Sequence, residues 1–214
     1  CIRDRLTILL DDVSYVDDDS MDIPRFLAAM KQSRHIPKSA CPAPDVWARL
    51  FLEAEEVFAV TLSSKLSGSY NSAMVAREMV ESEHPGHRVH VFDSLSASAG
   101  EIAVGIRIKE CAEAGMAFDE IVREVTAFIH GMKTYFIVEN LDTLIKAGRM
   151  GRLTGYVASA MSLRPIMMGD AGEIKLYEKA RGSVRAFTRL VDIIGERRSN
   201  FSDRTLVITH CNNE

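Results

Sequence analysis

The chain has 214 residues, 47% of them hydrophobic and 26% charged, with a formal net charge of −4. That length supports a sizeable core and up to two modest domains, while the mild acidity argues against nucleic acid as a principal partner. No apolar run reaches transmembrane length, no signal peptide is visible, and Cys1, Cys41, Cys111 and Cys211 lack CxxC spacing, so they read as thiols of a reducing cytoplasm rather than disulfides or zinc ligands. A leading cysteine can mark a lipid-modified secreted protein, but here a strand starts at once with no linker.

That strand lies near Leu6–Leu10 and leads to Asp17-Asp18-Asp19, a solvated turn. A calcium loop would need alternating ligands and a closing glutamate, which are missing. Asp22 caps a helix through Phe26, Leu27 and Met30. Pro42 and Pro44 punctuate a loop, and Asp45 is expected to cap a helix from Val46 to Glu55, with Trp47, Leu50 and Phe51 on its core face. Val57–Leu62 is a buried strand, and His87–Phe92 is another. Each runs into a hydroxyl-rich turn: Ser63-Ser64-Lys65-Leu66-Ser67-Gly68-Ser69 before one helix, and Asp93-Ser94-Leu95-Ser96-Ala97-Ser98-Ala99-Gly100 before the helix Glu101–Ala114. A further helix, Asp119–His130, puts Ile121, Val122, Val125, Phe128 and Ile129 on one stripe. The character changes near Gly131. Beyond it come a strand (Tyr135–Val138), a helical Leu141–Lys146, a hairpin (Arg164–Met168 and Ile174–Ala180 about Asp170-Ala171-Gly172), a helix Ser183–Arg198 and a final strand Thr205–Thr209.

This alternation predicts an α/β protein of two domains. Residues 1–131 form a parallel, Rossmann-like three-layer domain carrying the serine-rich loops, and residues 132–214 form a smaller mixed α/β domain. In a parallel sheet the two serine turns fall on the rim where ligands bind. Helix N-termini there offer unpaired N–H groups and a partial positive charge, a setting for an anion. Neither loop has a Walker lysine motif or a GxGxxG run, so a nucleotide is not the default guest. The plainer reading of each loop is an N-cap with spare serines.

Several motifs in fixed order resemble the DegV family. Ser63-Ser64-Lys65-Leu66-Ser67-Gly68-Ser69-Tyr70-Asn71-Ser72-Ala73 is similar to its "SSxLSGTYxSA" signature, and Pro37–Pro44 to its "PKTSQPSP" loop. Val91–Gly100 resembles "VxDSxxxSxG", and Leu141–Met150 resembles "LxxLxKGGRI". Leu163-Arg164-Pro165-Ile166 and Lys179-Ala180-Arg181-Gly182 fit its "KPI" and "KxRG" elements. The resemblance implies a bacterial fatty-acid-binding protein of phospholipid metabolism, itself no enzyme. It would hold one long-chain fatty acid in a buried slot, without metal or cofactor, and present the carboxylate to a separate ATP-dependent fatty-acid kinase that makes the acyl phosphate. The family's opening "TDSxxDL" turn and closing "HxGPG" loop have no counterpart here, so the chain reads as a piece lacking both ends, and His210 is not given that loop's role. Family threonines are serine at Ser39 and Ser69, and Ala147 stands for a glycine.

Ser67 and the N–H of Gly68 are the first candidates to hold the acid, with Ser39 and Ser96 from neighbouring loops. Arg149 is a candidate contact for the carboxylate or the incoming phosphoryl group; its alternative is a solvated arginine closing a helix end. Arg181, Lys146 and Lys65 are weaker. Burying a methylene is worth about 0.8 kcal/mol and a helix terminus about 0.3–1 kcal/mol for a charge, so the tail supplies affinity and the head sets orientation. Met161, Met167 and Met168 are candidates for an adaptable slot, or ordinary core. One rival function is a degradation or regulatory partner that merely uses a lipid-binding scaffold; the other is a hydrolase or small-molecule phosphotransferase using the serine loops. Against it, the chain has no GxSxG elbow and no histidine placed as an obvious base.

Overall fold

The computed structural model describes residues 6–138, 141, 144–145, 147–150, 163–196 and 204–211. Contacts divide the chain into two compact units, residues 1–59 with 67–91, and residues 60–66 with 92–214.

The first unit opens with β1 (Thr7–Leu10), β2 (Val13–Val16), α1 (Ile23–Gln32) and β3 (Lys38–Ala40). These strands form an antiparallel sheet in the order β2-β1-β3, with Thr7 opposite both Val16 and Ala40. Asp11, in the left-handed region at φ 53°, turns the chain from β1 into β2. Asp22 caps α1 as expected, accepting the Arg25 N–H at 3.0 Å. The next helix, α2 (Pro44–Phe51), differs from expectation at both ends. Ala43 is the N-cap and Pro44 takes the first turn, where its missing N–H leaves nothing unpaired, so Asp45 already lies inside the helix. The helix ends at Phe51 rather than Glu55.

α3 (Ser69–Glu83) packs against α2. Trp47 and Phe51 of α2 meet Ala73, Ala76 and Val80 of α3, with Ala59 of β4 (Glu56–Thr61) and Val89 and Val91 of β5 (Arg88–Asp93). Small residues on α3 let the two large rings approach, and the core closes around them. β4 and β5 pair in a two-stranded sheet whose pairing is parallel. Arg88 donates to the Glu55 carbonyl and Ser94 to the Thr61 carbonyl, so partners advance together along both strands.

The second unit contains α4 (Ala99–Glu113), α5 (Phe118–Gly131), β6 (Tyr135–Ile137), β7 (Leu163–Asp170), β8 (Glu173–Arg181) and a helix, α6 (Ser183–Glu196). Its strands form an antiparallel sheet in the order β6-β7-β8. The hairpin turns on Ala171 (φ 48°) and Gly172 (φ 85°), two successive left-handed residues that match the twist of the flanking strands. Leu141, Met150 and Met167 form a buried cluster, with Phe136, Val138, Ile174 and Leu176 packed on it. Gly131 closes α5 within this unit.

The mixed α/β class agrees with expectation; the antiparallel β1–β3 sheet is an addition to it. Thr205–Thr209 is not the expected strand: it has no strand pairing, and Leu206 and Ile208 are exposed. Apolar alternation alone does not make a strand without a partner ladder. Met161 and, within the expected 141–146 helix, Asp142, Thr143 and Lys146 lie outside the described residues.

Candidate functional site

The two serine turns continue the sheet after the strands end. The Ser63 N–H donates to the Ser96 carbonyl at 2.8 Å. Beyond that bond, Asp93 supplies an acceptor to both loops. Its Oδ1 receives the Ser64 N–H at 3.1 Å and the Leu95 N–H at 3.0 Å, one from each loop.

Most of the hydroxyls face inward. The Ser63 hydroxyl donates to the Gly172 carbonyl at 2.7 Å and accepts the Lys65 N–H. The Ser94 hydroxyl donates to the Ser96 carbonyl and accepts the Ser96 N–H. The Ser96 hydroxyl bonds Thr134 Oγ1 at 2.7 Å. All three serines are buried. Two glycines make that packing possible: a Cβ at Gly100 would lie 2.1 Å from Ser96 Oγ, and one at Gly172 would lie 2.5 Å from Ser63 Oγ. Leu95 (φ 49°) and Ser98 (φ 53°) are left-handed, strain that the surrounding bonds must hold. Ser98 is the N-cap of α4, and its N–H donates to Glu101 Oε1 at 2.7 Å. Burial pushes the Glu101 carboxyl above its ordinary range, and the hydrogen bond from the Ser98 N–H works the other way.

Within the first unit, Ser39 is exposed on β3 opposite Ile8. Ser67 is half-buried, its hydroxyl accepting the Ser69 N–H at 3.2 Å and sharing a bond with Ser69 Oγ. It therefore satisfies one of the N–H groups that α3 leaves without an internal partner. Gly68 is the exposed N-cap of α3, with ordinary helical backbone angles. Within the second unit, Ser96 is buried with its hydroxyl turned to Thr134. Arg149 is exposed; its Nε donates to the Leu66 carbonyl at 3.2 Å and its Nη1 to the Ala147 carbonyl at 2.7 Å. The structure thus brings Arg149 onto the first serine loop. Arg181 ends β8, and Lys65 is exposed.

One residue was passed over in the sequence. Ser64 is half-buried, and its hydroxyl enters none of the hydrogen bonds among the described residues. The pair Ser63-Ser64 lies past the end of β4, where a turn closed by the Leu66 N–H on the Ser63 carbonyl separates the two side chains. Among the described residues no cluster of three or more His, Cys, Asp and Glu could hold a metal, and no helix is long and apolar enough to cross a membrane. In this unit the first serine loop thus carries the Ser64 hydroxyl, without a partner among the described residues, and receives the Arg149 guanidinium on its Leu66 carbonyl.

The comparisons agree with one another. A crystal structure of a DegV family protein from Ruminococcus gnavus, refined with vaccenic acid, superposes with a TM-score of 0.87 at 37% identity, covering 92% of this chain and 70% of that one. The fatty acid kinase (Fak) B3 protein of Streptococcus pneumoniae, loaded with linoleic acid, superposes with a TM-score of 0.84 at 34% identity, covering 90% and 69%. A DegV domain-containing protein of Streptococcus pneumoniae is 34% identical over 211 residues, which is 98% of this chain and 74% of that protein. The family model described as an uncharacterised protein of the DegV family matches residues 5–214, and the chain belongs to the DegV family.

Proposed function

We propose that this protein binds one long-chain fatty acid and presents its carboxylate to a separate ATP-dependent fatty-acid kinase, performing no chemistry itself. The observation that carries the reading is Arg149 fixed on the Leu66 carbonyl, two residues along the chain from Ser64, whose hydroxyl is unengaged among the described residues. A neutral donor on the loop and a charged donor bonded to that loop from another segment suit a carboxylate. The fatty acids carried by the Ruminococcus gnavus and Streptococcus pneumoniae proteins support the same class of ligand. Ser64 and Arg149 are the first head-group residues of this proposal. Ser39, Ser67 and the Gly68 N–H stay candidates on their own segment, and Ser96 contributes through its position, since its hydroxyl is engaged. The change of character at Gly131 is kept as a proposed domain boundary, to be tested by limited proteolysis.

The test has two stages. Denaturing mass spectrometry of the purified protein is expected to release a long-chain fatty acid; an empty protein or a sugar ligand favours the hydrolase or phosphotransferase instead. With purified kinase, Ser64→Ala, Ser67→Ala and Arg149→Ala are then each compared with the parent for acyl-phosphate formation and for fatty-acid retention. Each methylene contributes about 0.8 kcal/mol, so retention is expected to survive while turnover falls about tenfold. Equal loss of both, or of neither, removes that residue from the head-group set.

A further inference from the structure

We infer that Asp93 is the positioning residue of the head-group site: one carboxylate oxygen holds the Ser64 N–H of the first serine loop and the Leu95 N–H of the second, and so sets where the Ser64 hydroxyl stands. The inference rests on the fatty-acid reading above. Each half of the clasp has a separate physical consequence. The bond to Leu95, two residues on in the chain, is an Asx turn, and it fixes a leucine in a left-handed conformation that a branched side chain avoids. The bond to Ser64 crosses from one loop to the other, 29 residues away in sequence, just past the last sheet-like bond between Ser63 and Ser96.

Without Asp93, two half-buried N–H groups lose their acceptor, and Ser64 loses its one observed backbone anchor. The other serines do not depend on it in the same way. Ser63 is held by Gly172, Ser94 by Ser96, and Ser96 by Thr134. Among the described residues Ser64 has no side-chain bond of its own, so its position follows from its backbone.

The charge of Asp93 makes the role separable from packing. A fixed carboxylate in the loop that receives an acid opposes the ligand by like-charge repulsion. Its compensation is that a charged acceptor makes the stronger bond to an N–H. Asparagine offers the same acceptor oxygen without the charge. Asp93→Asn should therefore keep the clasp and bind a fatty acid at least as well as the parent. Asp93→Ala loses the clasp and should bind the acid about tenfold more weakly, the effect of a lost hydrogen-bond partner.

The experiment measures the affinities of full-length parent, Asp93→Ala and Asp93→Asn for linoleic acid and for its methyl ester. The ester has the same tail and no charged head. The expected result is a loss for Asp93→Ala confined to the acid, with Asp93→Asn restoring it. Equal loss for acid and ester marks a merely structural residue and overturns the inference, as does no loss for either. If Asp93→Ala does not fold, Asp93→Ser, too short to reach both N–H groups, carries the same comparison. If the parent binds the acid alone, Asp93→Asn decides: retained affinity supports the role and lost affinity overturns it. A parent that binds neither ligand sinks the fatty-acid reading, and this inference with it.

Discussion

Gly68 and Gly100 stand at matching places in two βα units, each beside the N-terminus of the helix that follows a serine-rich turn, but their surroundings differ. Behind Gly100 a Cβ would meet Ser96 Oγ at 2.1 Å and Ser96 Cβ at 2.5 Å. At Gly68 the nearest atom to such a Cβ is Cys41 Sγ at 3.3 Å, on an exposed side chain. In the second turn, then, glycine is where a buried hydroxyl passes the helix, and the serines are internal fastening. In the first it is an open N-cap. Two turns with nearly the same composition therefore differ in packing: a buried hydroxyl closes one against its glycine, and the other leaves its glycine open.

Gly100→Ala is the strongest way to break this contrast. The clash includes Ser96 Cβ, which no rotamer change moves, so backbone must shift. Overpacking of this kind costs about 3 kcal/mol, read as a fall in the denaturant midpoint with an unchanged slope. An unchanged midpoint would mean the second turn is as open as the first. Gly172→Ala should follow. Its added Cβ falls 2.5 Å from Ser63 Oγ, but that hydroxyl can rotate away at the loss of its bond to the Gly172 carbonyl. The larger part of the cost is the left-handed backbone at φ 85°, for a total of about 2 kcal/mol. Unfolding by denaturant checks this too, and a loss below that of an ordinary surface change would show that the hairpin tip does not lock the first loop.

Much of this architecture was legible, and the reasons are local. The β-branched runs of β4 and β5, the Asp-Ala-Gly hairpin turn and the Asp22 cap each write their conformation into a few adjacent residues. β2 and β3 were missed because they are short and largely exposed, so they have no buried face to impose alternation. Asp45 misled because Pro44, sterically suited to the first turn, fixed the helix start ahead of it. At the site, a hydroxyl's chemistry is visible in sequence but its direction is not. Ser96 turns to Thr134, 38 residues away, and nothing near either residue records that bond. Ser64 and Asp93 emerge only when the other serines' partners are known.

Gly68→Ala is the smallest effect and the sharpest test of the contrast. Gly68 has φ −74° and ψ −2°, angles any residue adopts, so alanine introduces no backbone strain. Two opposing terms act. Alanine reduces the freedom of the unfolded chain, a gain of about 0.4–1 kcal/mol. Against that, alanine is a poorer N-cap than glycine, and Cys41 Sγ must give by a few tenths of an ångström. An exposed thiol can rotate to do so, and the terms should cancel to within about 0.5 kcal/mol. The substitution also leaves the Gly68 N–H in place, so fatty-acid retention should match the parent. A destabilisation as large as that of Gly100→Ala would show that the first turn is packed shut like the second. A stable variant that no longer holds fatty acid would instead place the ligand's head against the Gly68 Cα.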